Sequence, residues 1–352
     1  MRACILALWS DSLTFTLAQA LAFAGHEVVV VVADAERDTR SEWSLSRRIA
    51  EIPGTAVVPD QGSTMRDRFD VLIVQGHPLL LAGRETLDRL APIADRLTAI
   101  TLGDRSRHPM HALRLQLREL RWYGRWFRKV DRVVYKDGFR SADLLGVLRP
   151  RQVIGFDAHS KFLRDPSLFA KIHAMDWDPG IVRPMRANFL GSRDPAIRTR
   201  ILDSVHRYFT SPRASPAGDA SPKKMYWHAY SDAQPAALGP AEFLDILQAS
   251  DFTLAPPGYS LVTHRPVEAL LRGSIPVLNA DELDIYDMGL VDGETCIAAP
   301  PDRWPTAMER ILAMPEEQVA AMRRKVRLLV TEKVSYAALS RDISRRLGLA
   351  SA

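Results

Sequence analysis

A glycine, an arginine and a glutamate stand in one short stretch at a spacing that suits a nucleoside diphosphate. Gly258 follows Pro256-Pro257 and precedes a segment that reads as a helix from about Thr263, with Arg265 and Glu268 in its first turns. A helix N-terminus presents unpaired backbone N–H groups and the positive end of the helix dipole, so the turn at Gly258 suits a phosphate. Arg265 adds a planar, permanently charged fork that fits two phosphate oxygens. Glu268, one turn on, offers a carboxylate that can accept from the two hydroxyls of a ribose. Thr263 and His264 stand at the helix start, where His264 either meets phosphate or caps the helix. Tyr259 either stacks on a base or fills the turn beside Pro257. Arg193, after Gly191-Ser192, is a candidate second phosphate contact, and Tyr226 and His228 are candidates to flank the nucleotide.

These residues need a strand before them and a strand after them. Asp251 to Ala255 is a short apolar run suited to a buried strand. Pro256-Pro257 ends it, because proline cannot extend the hydrogen-bonded ladder, and Gly258 admits the positive φ of a sharp turn. Gly273 closes the helix, and Ile275-Pro276-Val277-Leu278 is the next parallel strand. Asp281-Glu282 then lies past a strand's carboxyl end, where ligands of open α/β sheets gather.

The stretch resembles the donor-sugar motif of exostosin-like glycosyltransferases of the GT-B class. The matching residues are Phe252, Leu254, Pro256 and Gly258, then Arg265, Glu268, Ala269 and Leu270, then Gly273, Ile275, Pro276 and Val277. A weaker match extends back through Ala187 to Ser192 and Pro240 to Phe243. The resemblance implies an α/β fold, GT-B-like, with two Rossmann-like domains facing a cleft, and a nucleotide-sugar donor, UDP-linked, held by the second domain. It implies sugar transfer to a glycan, a lipid-linked or a metabolite acceptor. Retaining GT-B families often carry a second glutamate ahead of the ribose-binding one. Here Ser260 stands in its place, so the pattern fits inversion. A nucleotide-sugar epimerase on the same scaffold, or a non-catalytic nucleotide-sugar-binding protein, would use the same donor residues. No cofactor beyond the donor is expected, and no metal: a helix terminus and an arginine can share the diphosphate charge. Asp176-Trp177-Asp178-Pro179-Gly180, which holds an Asp-x-Asp pair, reads as a turn.

The first half of the chain opens as a nucleotide fold without Gly-x-Gly-x-x-Gly. Ala3 to Trp9 and Glu27 to Val32 are apolar, β-branched runs of a parallel sheet covered on both faces, with a helix from Leu13 to Ala24 between them. Further strands are expected at Phe69–Val74, Leu97–Leu102, Val130–Tyr135 and Gln152–Gly155. An inverting transfer needs a general base. Asp11 and Asp104, in loops after strands, are the first candidates, ahead of His77 and Asp137. Asp11 is equally well placed to cap a helix. The linker is expected within Asp165–Pro184, with domains at 1–175 and 176–335 and a C-terminal helix at 336–352 packing back on the first domain.

One helix, about His111 to Lys129, carries Arg114, Arg118, Arg121, Arg125 and Arg128 on one stripe, with Trp122, Tyr123 and Trp126 beside them. Such a stripe either meets an anionic surface, a membrane face among them, or is simply solvated. The formal charge, +5 over 352 residues, is too small to argue for wholesale nucleic-acid binding. With two distant cysteines and no apolar run of membrane-spanning length, a cytoplasmic protein, peripheral at the inner membrane face, is expected.

Overall fold

The computed structural model describes residues 1–41, 44–60, 67–75, 84–101, 109–135, 151–153, 160–210, 223–230, 238–258, 263–284, 286–300 and 302–349. They form two compact units: Met1–Arg164 with Ser335–Ala352, and Asp165–Val334.

The first unit is built on a seven-stranded sheet, all of whose pairings are parallel. Its strands are β1 (Arg2–Ala7), β2 (Glu27–Val32), β3 (Thr55–Pro59), β4 (Phe69–Gln75), β5 (Ala94–Thr101), β6 (Val130–Tyr135) and β7 (Arg151–Val153), in spatial order β3-β2-β1-β4-β5-β6-β7. The runs Ala3–Ala7 and Val28–Val32 are wholly buried, as a parallel sheet covered on both faces requires. The edge strand β3 carries no such signal: it is short, half-exposed and ends at Pro59, which is why sequence patterning passes over it. The C-terminal helix Tyr336–Arg346 lies along the helix Ser12–Phe23. Arg132 fastens it by donating to the Arg346 carbonyl at 2.8 Å.

The basic helix differs from the uninterrupted one expected. It runs from Pro109 to Tyr123 and gives way to a 3-10 turn, Gly124–Lys129. The cause is local. Arg84 donates to the carbonyls of Arg121 (3.2 Å) and Trp122 (2.8 Å), satisfying the helix end. Gly124 takes a φ of 48°, and a Cβ there would stand 2.6 Å from Arg84 Nη1.

The second unit has a five-stranded parallel sheet: β8 (Met185–Ser192), β9 (Lys224–Tyr230), β10 (Ser250–Leu254), β11 (Ile275–Asn279) and β12 (Ile297–Ala299), ordered β12-β11-β10-β8-β9. Its amino end is closed by charge. Asp251 is buried among Lys223 (2.6 Å), Arg186 (3.3 Å) and Arg323 (3.5 Å), and Glu316 accepts from Arg186 at 2.7 Å. Burial raises the Asp251 carboxyl from its ordinary range, with Lys223, Arg323 and Arg186 pulling the other way.

The segment expected to be a linker is part of this unit. Pro166–His173 is a helix capped by Asp165, which accepts from Ser167 N at 2.8 Å. Trp177 is buried and donates to the Leu271 carbonyl at 2.9 Å, with Arg327 stacked 5.0 Å from its ring. The Asp176–Gly180 turn is confirmed: Asp178 accepts from Gly180 N at 2.7 Å, while Asp176 meets Arg272 at 3.1 Å. These are single anchoring contacts, which leave no periodic trace in sequence. Among the described residues no helix is long and apolar enough to cross a membrane.

Gly273 joins the two halves of this packing. Its φ is +70°, and a Cβ would lie 2.3 Å from Trp177 Cδ2. Gly273→Ala therefore combines a left-handed backbone with an overpacked tryptophan, and should cost about 2–5 kcal/mol. Urea unfolding followed by tryptophan fluorescence measures this. A loss below about 1 kcal/mol would show that Trp177 can move away freely.

Candidate functional site

In an open parallel sheet, ligands settle beyond the strand carboxyl ends, at the point where the strand order reverses. In the second unit that point lies between β8 and β10, because β9 is added on one side of β8 and β10 on the other. The segments there are the end of β8 with Arg193, and the loop Ala255–Gly258. One side chain ties them together. Arg198, in the first turn of the helix Ala196–Val205, donates from Nε to the Pro257 carbonyl at 3.0 Å and from Nη1 to the Ser192 carbonyl at 3.2 Å. Sequence patterning did not single out Arg198, which is one of several arginines in that segment and has no distinguishing spacing.

Arg198 also explains Gly258. That glycine is not among those with positive φ. A Cβ there would meet Arg198 Nη2 at 2.7 Å and Thr263 Cγ2 at 2.9 Å. Close approach, rather than the turn conformation expected, demands the glycine.

Arg265 and Glu268 open the helix Arg265–Leu271, beside this crossing. The Arg265 side chain is 18% exposed and that of Glu268 3%, with Nε 3.6 Å from Oε2. The guanidinium lies over the Phe243 ring, 5.0 Å from its centre. It also presses on the end of β8, where a Cβ on Gly191 would stand 3.0 Å from Nη2. Burial lowers the arginine's pKa, and Glu268 and Tyr230 offset this. Arg265 Nε is buried with no hydrogen-bond partner among the described residues. Most buried polar groups are paired, and Arg265 Nε is one of several exceptions among the described residues, with Asp251 Oδ1 and Arg323 Nε.

The amide cradle is thinner than the spacing suggests. The Thr263 N–H donates to the Tyr286 hydroxyl at 3.0 Å, and that hydroxyl donates back to the Thr263 carbonyl at 3.1 Å. Pro266 has no N–H, and the Glu268 N–H is held by the His264 carbonyl at 2.9 Å. Among the described residues, that leaves the Arg265 and Val267 amides as the candidates of the first turn. His264 occupies the cap position, and its side chain makes no capping hydrogen bond. Arg193 pairs with Asp203 on the following helix. Tyr226 and His228 lie on the edge strand β9, and His228 Nε2 is buried without a partner among the described residues. Tyr259 lies outside the described residues.

In the first unit the strand order reverses between β1 and β4. Asp11 follows β1 at this point and caps the helix Ser12–Phe23 with a full capping box. Its Oδ1 accepts from Thr14 N at 2.9 Å and Thr14 Oγ1 at 3.0 Å, and Gln75, ending β4, reaches it at 3.4 Å. Capping is thus the observed structural role, and it commits one carboxylate oxygen. Asp104, His77 and Asp137 lie outside the described residues.

Behind Asp11 is a buried acid that spacing does not reveal. Asp38 accepts from Ser10 N (2.7 Å), Ser10 Oγ (2.8 Å), Ser44 Oγ (3.0 Å) and Ser46 Oγ (2.6 Å). It fixes the residue next to Asp11. Among the described residues no group of three or more His, Cys, Asp and Glu side chains converges as a metal site would.

No protein-family model matches the chain, and no curated protein matches it by sequence. Solved structures do match over its length. HepE of Anabaena, in complex with UDP and glucose, aligns at 13% identity over 99% of each chain, with a TM-score of 0.58. The N-terminal domain of Candida albicans trehalose-6-phosphate phosphatase aligns at 10% identity over 99% of this chain and 97% of that one, with a TM-score of 0.60. Sucrose-phosphate synthase of Thermosynechococcus elongatus aligns at 12% identity over 99% and 98%, with a TM-score of 0.54. At such identities the likeness is one of fold: the chain has the two-domain GT-B fold of glycosyltransferases.

Asp38→Ala leaves four donors without their buried acceptor and should destabilise the protein by about 2–4 kcal/mol. Chemical denaturation measures it. A change under about 1 kcal/mol would show that the three serines satisfy one another.

Proposed function

We propose that the chain is an inverting glycosyltransferase of the exostosin-like kind, which takes a UDP-linked sugar as donor and needs no metal. The observation that carries this is the Arg265–Glu268 pair at the strand reversal of the second sheet, Arg265 standing 3.6 Å from the buried Glu268. Its residue types and spacing match the donor motif, and the fold is one in which such motifs work. HepE, which shares that fold, was crystallised with UDP and with UDP-glucose.

In this reading the diphosphate lies across the turn at Gly258. Arg265 forks onto its oxygens, and the Arg265 and Val267 amides add neutral donors. Glu268 takes the ribose hydroxyls. Arg198 holds the Pro257 and Ser192 carbonyls back, so that the loops keep their spacing. The acceptor, a glycan, lipid-linked or metabolite alcohol, attacks the anomeric carbon with its hydroxyl oxygen. The bond from that carbon to the diphosphate oxygen breaks, and the diphosphate leaves with the electron pair. The acceptor's proton passes to a carboxylate, for which Asp11 Oδ2 is the choice among the described residues. One displacement inverts the anomeric centre.

Two experiments test this. Arg265→Lys keeps a positive charge beside Glu268 but loses the fork. UDP affinity measured by calorimetry should fall about tenfold or more, with melting temperature nearly unchanged. Equal affinity would remove the diphosphate role. Asp11→Asn keeps a good helix cap, so stability should hold. Transfer should still slow by about 10²–10⁴ in kcat, with KM little changed. Normal turnover would leave Asp11 as a cap alone.

A further inference from the structure

The basic helix Pro109–Tyr123 is sharply divided between its faces. Arg114, Leu117, Arg118 and Arg121 are exposed, whereas Glu119 and Tyr123 are buried. At 100° per residue the four exposed positions share an arc of about 100°, opposite the buried pair. Glu119 is the one acid in the helix, and its burial keeps it off this face. Past the break at Gly124, Arg125 and Arg128 are again exposed. Arg125 lies over the half-buried Trp126 ring at 4.7 Å, and Asp88 comes within 3.4 Å of it.

We propose that this face docks on an anionic lipid bilayer. The partner's chemistry follows from two features together. Arginines attract phosphate-bearing surfaces of any kind. Leu117, 42% exposed among them, is matched only by an environment with an apolar layer beneath the phosphates. A nucleic-acid backbone offers the leucine nothing. The arginines lie at headgroup level, Leu117 enters the acyl boundary, and Trp126 stands at the interface. The attraction is local, since the whole chain carries only +5. It makes no use of the donor residues and is independent of the sugar-transfer reading.

The test is co-sedimentation of the full chain with phosphatidylcholine vesicles, with and without phosphatidylglycerol, at moderate salt. Binding is expected only where phosphatidylglycerol is present, and it should weaken as salt rises. Replacing Arg114, Arg118 and Arg121 together by Gln should lower partitioning roughly a hundredfold, at about fivefold per arginine. Leu117→Ser should lower it about tenfold without changing the salt dependence. All four positions are exposed, so circular dichroism and UDP affinity should match wild type. Wild-type-like binding by the triple variant would overturn the proposal, as would equal binding to both vesicles or to neither. Tighter binding to double-stranded DNA than to the anionic vesicles at the same salt would assign the face to nucleic acid and overturn it too.

Discussion

A guanidinium drawn largely out of water beside a buried carboxylate is costly to keep. Each ion gives up several kcal/mol of hydration on burial, and an ion pair returns it only when its remaining hydrogen bonds are made. Glu268 is buried and Arg265 half-buried, they approach only to 3.6 Å, and Arg265 Nε finds no hydrogen-bond partner among the described residues. The surroundings hold this arrangement open. Phe243 supports one face of the guanidinium, and the missing side chain of Gly191 lets it lie against the end of β8. The buried cluster at the other end of the same sheet makes a useful contrast. There Asp251, Glu316, Lys223 and Arg186 are joined by contacts of 2.5 to 3.3 Å, the pattern of a structural network. Asp251 Oδ1 and Arg323 Nε in that cluster are likewise without a partner among the described residues, so the two ends differ in how closely their charges approach rather than in the completeness of their hydrogen bonds.

The same topological event fixes both candidate regions. Each sheet reverses its strand order once, and each reversal leaves two loops diverging at the strand carboxyl ends. In the second unit Arg198 spans the divergence, donating to a carbonyl on either side. In the first unit the work is shared: Gln75, from the far side of the reversal, reaches Asp11, and Asp38 locks Ser10 before it. If Asp11 is the base proposed for the transfer, both contacts would hold it still. The cap on one oxygen fixes the carboxylate's plane, and the buried acid fixes the backbone that carries it.

Much of this was legible in the chain, and the limits have a physical pattern. Strands β1, β2 and β4 to β6 announce themselves because a buried parallel strand must be apolar on both faces. The β10–helix–β11 unit was readable because proline, glycine, arginine and glutamate fall in an order that only a turn and a helix start can use. What escaped were pairings between distant residues. Arg198 with Pro257, Trp177 with Leu271 and Asp38 with Ser10 are each one residue meeting another far along the chain. No periodicity records such contacts, and the Asp165–Pro184 segment looked like a connector for that reason. The reason for Gly258 was hidden likewise, since the guanidinium that crowds it comes from another helix.

In the proposed donor site, the thin amide cradle bears on how a diphosphate would be held. A glycine-rich loop binds phosphate with several converging N–H groups and needs little help from side chains. Here Pro266 removes one N–H and Tyr286 occupies another, so the helix start supplies few of them. In that reading the positive charge would come from the side chain of Arg265, whose fork is directional where an amide nest is not. A site of that kind recognises the geometry of two linked phosphates more than the presence of one. Tyr286 has a part in this: by donating to and accepting from the Thr263 backbone, it pins the residue from which the helix and its arginine are launched. Selectivity for a diphosphate over a single phosphate would thus rest on where the tyrosine holds the backbone, rather than on how many amides face the ligand.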